Sequence, residues 1–553
     1  MVAALLLAFF VQGFFFIRAS APTYDEAMHL AAGYSYLATG DFRMERQNPP
    51  LLKTWLALAP WAVYRLPFTP GAEDWRRGND YRIGQQFLYR STVPADRILA
   101  AARCANLFLG ALLIALIAWW AHRLWGGGAA IVAAALASFE PNLIAHSALV
   151  TTDTGASLFI FLTVYLLWEH ARARRRRFLA AAGAALGAAV AGKFSAIVLV
   201  PLAALLVALP FLIEDAARPN RRGAETHSWP ARLPGAAGAI VVILLCAMPV
   251  VLAAYFFQGI GPWIAGLERF LALARAGQPA FFFGAHSYRG WWDFYLVAFL
   301  IKTPLGSLLL IALAVIFWRA GAQLKMRDAL FLLLPVIFIL GATSQAKVNI
   351  GLRHVLAIYP FLFVLAARLA TVRSERRALA PALIAIALIF TAASSLRVAP
   401  HQLAYFNEAV GGPGEGYRYL ADANLDWGQD LKNLKAYVDQ ENLPILYLSY
   451  FGAAPPSYYG IRYQYVPGAW PLEWPPPADR VPAALPRKIL AISATNLQDV
   501  FHAAAPLFAW LRQRQPIAKI GYSIFIYDLS GDREGLQKLN DMAERFGLRR
   551  FWP

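Results

Sequence analysis

Long apolar runs recur along this chain, separated by short breaks crowded with arginine, and few folds accommodate that pattern. A hydrocarbon core about 30 Å thick takes roughly 20 apolar helical residues per crossing. Candidate runs are Val2–Ile17, Ile98–Trp120, Ala129–Ala145, Thr154–Trp168, Phe178–Ala191, Phe194–Ile213, Ala236–Phe257, Phe294–Trp318, Ala329–Thr343, His354–Leu369 and Leu379–Leu396. They predict a mainly α, polytopic membrane protein of about 11 transmembrane helices. Composition agrees: only 15% of the 553 residues are charged, against about a quarter in a soluble domain.

The formal net charge of +18 raises the question of nucleic acid. The placement of the arginines answers it. Arg172, Arg174, Arg175, Arg176 and Arg177 fill one break between apolar runs, and Arg218, Arg221 and Arg222 another. Arg319, Lys325 and Arg327 fill a third, and Arg373, Arg376 and Arg377 a fourth. Short basic breaks of this kind set orientation in a bilayer, cytoplasmic side positive, so no nucleic-acid partner is expected. The amino terminus is then inside, while residues 18–97, 147–153, 259–292, 345–353 and everything after Arg397 lie outside. The opening run lacks a basic flank and a small-residue cleavage site, and reads as a retained span. Cys104 and Cys246 both fall within apolar runs, so no extracytoplasmic disulfide is expected.

Two regions follow: a transmembrane region 1–397, with a large first extracytoplasmic loop 18–97, and an extracytoplasmic α/β domain 398–553. The second region has no spanning run. It shows strand-like stretches at Ile445–Tyr450, Lys488–Ile492 and Tyr522–Tyr527, amphipathic helical stretches at Leu431–Val438 and Asn496–Arg512, and a proline-rich connector Pro467–Pro477.

The chemistry concentrates on the outer face. Asp25 and Glu26 sit just beyond the first run, and carboxylates beside a bilayer are costly unless they act. Adjacent helical positions splay about 100° apart, which points to separate jobs rather than one shared-proton dyad. Helix capping by Asp25 is the plain alternative. Asp153 opens the fourth run, where an acid also complements the helix dipole. Lys193, Lys302, Lys347 and the pair Arg353-His354 bring cations to the same side, either snorkelling or stabilising a departing phosphate. His286, within an aromatic-rich stretch that ends at Trp291-Trp292, could ligate a metal together with a carboxylate. Asp422, Asn424, Asp426 and Asp430 alternate like the start of a Ca²⁺ loop, but Trp427 and Asn433 replace the usual Gly and Glu, and a turn before a helix reads more simply.

These residues in order resemble the GT-C superfamily of lipid-carrier-dependent glycosyltransferases, and within it family 39, the bacterial relatives of protein O-mannosyltransferases and lipid A aminoarabinose transferases. The resemblance is carried by Tyr24-Asp25-Glu26 with His29, Asn48-Pro49-Pro50-Leu51, Thr152-Asp153 and Gly192-Lys193-Phe194-Ser195. Gly290-Trp291-Trp292 to Lys302-Thr303-Pro304, Asn349 to His354, and Tyr405-Phe406-Asn407 through Asp426-Trp427-Gly428-Gln429-Asp430 extend it over nearly the whole chain. It implies a hexosyl or pentosyl transferase of the bacterial cytoplasmic membrane, active on the extracytoplasmic face. A polyprenyl-phosphate sugar donor would pass its sugar, with inversion, to a hydroxyl on a protein, lipid or glycan. Asp25 is then the general base, with Glu26 and Asp153 orienting the acceptor or binding a cation. Lys193, Arg353, His354 and Lys302 hold the donor phosphate, and His29, Asn48, His286, Trp291 and Asp426 are further contacts to donor or acceptor. A divalent cation is left open. The chain also departs from the family: Gln47 and Asn48 occupy the positions of the aminoarabinose transferases' metal-binding Glu and its Lys neighbour, which argues against that Zn²⁺ site and against a lipid A acceptor.

Two other classes compete. A transporter or flippase of a lipid-linked or anionic substrate would also carry intramembrane charge, but the sequence lacks the paired repeats typical of that class. A receptor or assembly protein would leave the outward acids and cations without a purpose.

Overall fold

The computed structural model describes residues 1–216, 229–318, 321–372, 379–469, 479–482 and 484–551. Arg218, Arg221, Arg222, Arg319, Arg373, Arg376 and Arg377, and most of the proline-rich connector, lie outside the described residues.

The first run forms α1 (Val2–Ala19). The large first loop folds into four helices: α2 (Glu26–Thr39), α3 (Pro50–Tyr64), α4 (Ala72–Arg77) and α5 (Asp80–Tyr89). They enclose a core of their own around Leu30, Tyr34, Leu56, Ile83 and Leu88. Their apolar stretches are too short to cross a bilayer yet long enough to bury one face against each other.

The membrane helices follow as α6 (Ala95–Trp125), α7 (Gly127–Ser138), α8 (Pro141–Ser147), α9 (Asp153–Ala173), α10 (Arg176–Gly192), α11 (Leu199–Ala216) and α12 (Trp229–Ala254). The next segment holds α13 (Gly261–Ala276) and a hairpin of β1 (Ala280–Phe282) and β2 (Ala285–Ser287). Next come α14 (Phe294–Lys302), α15 (Leu305–Ile316), α16 (Met326–Thr343), α17 (Tyr359–Ala367) with short 3₁₀ turns at both ends, and α18 (Leu379–Val398). Among the described residues, seven helices are long and apolar enough to cross a membrane, or up to nine when each bent pair counts as one span. By length and composition the described helices thus number fewer spans than the expected eleven, a count they do not confirm. All eleven apolar runs are helical, but α7/α8 bend by 65° and α14/α15 by 115°, while α10 and the apolar part of the next run are short.

Helix α10 compensates for its weak hydrophobicity by close packing. A Cβ at Gly183 would lie 2.5 Å from the Ile243 carbonyl oxygen, and one at Gly187 2.5 Å from that of Ala247, so both glycines admit the α12 backbone directly. Over its 21 residues α9 spans about 30 Å. Asp153 stands at one end, and the exposed arginines from Arg172 to Arg177 cluster at the other.

The tail carries α19 (Leu431–Gln440), β3 (Leu446–Ser449), β4 (Tyr463–Tyr465), β5 (Ile489–Ser493), α20 (Ala494–Leu497), β6 (Ala518–Ile520), β7 (Ile524–Asp528) and α21 (Arg533–Arg545). The five strands lie in the order β4-β3-β5-β7-β6, with β3 parallel to β4 and β5, and β7 antiparallel to its neighbours. Asn496–Arg512 is not the expected helix. Asp499 has a left-handed φ of 54°, and its carboxylate accepts the Leu507 and Phe508 amides, folding the segment back on itself.

Candidate functional site

The crossing from α1 to α2 is fixed by Glu26. Its carboxylate accepts Arg103 Nε (2.8 Å) and Nη2 (2.6 Å), the Val150 amide (2.7 Å), and the Thr23 amide (2.8 Å) and hydroxyl (3.0 Å). Arg103 also donates to the carbonyls of Ile17, Ser20 and Ala21, closing the end of α1. Burial alone would raise the Glu26 carboxyl, but the Arg103 charge and these donors hold it below the ordinary range. Both side chains are buried, and every acceptor site of Glu26 is engaged. Glu26, expected to act on the acceptor, is thus a structural tie.

Asp25 faces the other way. It occupies the cap position of α2, yet its side chain makes no capping bond. Its Oδ2 lies 3.2 Å from Arg353 Nη2. Arg353 Nη1 reaches Asp153 Oδ2 at 3.8 Å, and Asp153 Oδ1 accepts from Lys193 Nζ. Two carboxylates and two cations therefore alternate in one chain, with Asp25 18%, Lys193 13%, Arg353 11% and Asp153 2% exposed. The Arg353 guanidinium sits 4.2 Å from the centre of the Trp427 ring, and a cation–π contact orients it.

Backbone breaks present these groups. Lys193 is extended between α10 and a 3₁₀ turn, and Arg353 is the second residue of a 3₁₀ turn that follows the extended Gly351. The tail locks both sides of the cluster. Asn424 Oδ1 accepts the Leu352 amide at 2.9 Å, the Tyr24 amide donates to the Trp427 carbonyl at 2.9 Å, and the Ala21 amide to that of Gln429 at 2.8 Å. Tyr24 stacks on Phe451, with ring centres 5.3 Å apart. Asp422 belongs to this rim. Burial pushes its carboxyl up to about 7, with Asp25 adding to the effect and Arg353 opposing it.

The remaining expected site residues fall elsewhere. His354 follows Arg353 and lies within electrostatic reach of Lys193 and Asp153. Lys302, expected to hold donor phosphate, is 1% exposed and donates to the carbonyls of Leu403 (3.1 Å), Tyr405 (2.9 Å) and Asn424, so its ammonium is committed to the fold. Asp426 is buried against Thr495, whose amide it accepts at 2.8 Å. His286 pairs through Nε2 with the Gln498 carbonyl at 2.7 Å, and the Trp291 amide donates to Asn349 Oδ1 at 2.6 Å. His29 lies 3.5 Å from Glu45, whose Oε1 accepts from Asn48 Nδ2 at 3.0 Å. Lys53, fully buried, bonds to Glu45 Oε2 at 2.5 Å. Burial favours the neutral Glu45 acid, but Lys53 and His29 outweigh it and hold the carboxyl down to about 2. Among the described residues no group of three or more His, Cys, Asp or Glu side chains is placed to hold a metal ion. A separate cavity of about 300 Å³ lies between residues 41–50 and the start of α13, lined by Arg43, Arg46, Asn48, Tyr255 and Gln258 among others.

The sequence alone singles out neither Arg103 nor His146, whose ring lies 6.5 Å from that of Trp427, and it places Trp427 and Asp422 in a turn without linking them to Arg353. The one signal for Arg103 was a lone arginine inside an apolar run.

Comparisons with known proteins bear on this arrangement. A family model described as dolichyl-phosphate-mannose-protein mannosyltransferase matches residues 96–253, a stretch that includes Asp153 and Lys193. No curated protein matches the sequence. The structure is similar to the crystal structure of ArnT from Cupriavidus metallidurans bound to undecaprenyl phosphate, with TM-score 0.50 and 14% identity over 95% of this chain and 97% of that one. The apo state of the same protein gives 0.46 and 14% over 95% and 96%. The oligosaccharyltransferase of Archaeoglobus fulgidus tethered with an acceptor peptide gives 0.38 and 13% over 80% and 57%. The likeness to the undecaprenyl-phosphate-bound ArnT structure is one of overall fold, carried in this chain by a bundle of membrane-length helices, a helical first loop and a sheet-bearing tail.

Proposed function

We propose that the protein transfers a sugar from a polyprenyl-phosphate donor to a hydroxyl acceptor at the outer face of a bacterial cytoplasmic membrane. The observation that carries the reading is the Asp25–Arg353–Asp153–Lys193 chain, where a partly exposed carboxylate stands beside one cation and is linked through Asp153 to a second, at the ends of membrane helices. The acceptor oxygen attacks the anomeric carbon as its proton passes to Asp25. The bond from that carbon to the phosphate oxygen breaks, and the phosphate leaves with the electron pair. Lys193 and Arg353 stabilise the charge it gains, and Asp153 keeps the two cations in register. A single displacement of this kind inverts the sugar carbon. Binding of an anionic donor loosens the Arg353–Asp25 contact and frees the carboxylate to act as base.

The test is mass spectrometry of lipid co-purified with the protein, beside a transfer assay with outward-facing donor in proteoliposomes. A retained polyprenyl phosphate or its glycoside, together with sugar transfer, is the expected result. Ordinary phospholipid alone, with no transfer from any polyprenyl-linked sugar, would overturn the reading. The two broken helices favour a second reading, a transporter or flippase. Donor movement across the vesicle membrane without sugar release would establish that reading instead.

A further inference from the structure

The two breaks in the embedded helices meet in a polar layer. Asn142, at the start of α8, donates from Nδ2 to Glu140 Oε1 at 2.6 Å and to the Lys302 carbonyl, at the end of α14, at 2.7 Å. The Thr303 and Tyr359 hydroxyls lie 2.8 Å apart, and Asn407 Nδ2 donates to the carbonyls of Leu300 (2.7 Å) and Thr303 (3.0 Å). Glu140 acts electrostatically on Lys302, Tyr359 and Tyr405.

The hydrogen bonding of this layer is incomplete. Among the described residues, Glu140 Oε2, both amide atoms of Gln402 and Asn407 Oδ1 have no partner, although each side chain is at most 1% exposed. Buried polar atoms are almost always satisfied, and a bare carboxylate oxygen in an apolar interior costs several kcal/mol. Lys302 does not relieve it by contact, because its three protons go to backbone carbonyls. The breaks also place the carboxyl ends of α7 and α14 beside this layer, and the negative end of a helix dipole favours positive charge.

We propose that Glu140, with the side-chain oxygens of Gln402 and Asn407, forms an internal binding site for a sodium-sized monovalent cation at the junction of the two broken helices. All the donors are hard oxygens, which excludes soft transition metals. One carboxylate balances one unit of charge, whereas Ca²⁺ wants six to eight oxygens and Mg²⁺ a near-ideal octahedron. The bound ion fixes the relative bend of α7/α8 and α14/α15.

The test uses the full-length protein in detergent at constant ionic strength, replacing choline chloride by sodium chloride. The melting midpoint of the wild type rises by several degrees with sodium, and the Glu140→Gln protein does not respond. That variant keeps Oε1 for Asn142 and replaces the charged Oε2 by an amide nitrogen, which cannot ligate a cation. Equal midpoints in both salts, or the same rise in both proteins, would overturn the proposal. Should Glu140→Gln fail to fold, equilibrium binding of radioactive sodium to the wild type decides. Saturable binding near one ion per chain supports the site, and its absence, leaving Glu140 to carry a proton, sinks it.

Discussion

Asp25 and Glu26 are neighbours in sequence and opposites in structure. Glu26 turns inward to Arg103 and is sealed by five donor contacts, while Asp25 turns to the rim and shares Arg353 with Asp153. The same carboxylate chemistry holds the chain together in one place and stays available in the other. What separates them is solvent access and saturation, not residue type.

The sharpest way to break this contrast is Asp25→Asn. Transfer is expected to fall by about two to four orders of magnitude, as loss of a base should, with an unchanged melting midpoint. A stability loss in that variant would make Asp25 a second structural tie. Arg103→Ala is expected to do the reverse. It strands a buried carboxylate and lowers stability by about 3–5 kcal/mol, read by thermal denaturation, while whatever protein remains folded keeps its site chemistry. A smaller effect is expected from Arg353→Lys, which keeps the charge but loses the fork that links Asp25 to Asp153 and the stacking on Trp427. Losing a charge-assisted bond of about 1.5–3 kcal/mol corresponds to a roughly ten- to hundredfold drop in kcat/KM for the donor.

The smallest effect concerns pH. Burial holds the carboxyls of Asp422 and Asp426 up to about 7 and about 8. Between those values and the ordinary aspartate range near about 4 the folded protein carries protons that the unfolded chain has released, so stability falls as pH rises through that window. Asp422→Asn removes one of the two contributions and should flatten the decline of the melting midpoint between about pH 5 and 8 without abolishing it. An undiminished slope would show that Asp422 is not the group that titrates.

How much of this the sequence discloses depends on the kind of signal. The helices α1, α6, α9, α16 and α18 are legible because hydropathy and length suffice for a straight span. Hydropathy reports composition and not direction, so the bends at Glu140 and Thr303 are invisible to it. The helices of residues 26–89 give no spanning signal because none is long enough to cross a bilayer. In the site, Asp25, Asp153, Lys193 and Arg353 stand out as charges at the ends of apolar runs, and the fold brings them together. Lys302 gives the same signal and has a different fate, because only the fold reveals three carbonyls waiting for its ammonium. The role of Trp427 needs a contact across 74 residues of sequence, which no local pattern contains.

The tail's grip on the loop between α1 and α2 has a practical corollary. Ala21 lies in the same apolar cluster as Leu431, Leu446 and Ile526, and Trp427 supplies the floor beneath Arg353. A version truncated after residue 397 would keep its apolar helices and lose the contacts that hold Asp25 and Arg353 in place. The water-exposed portion is a structural wall of the Asp25–Arg353 cluster, not an accessory that can be exchanged for another.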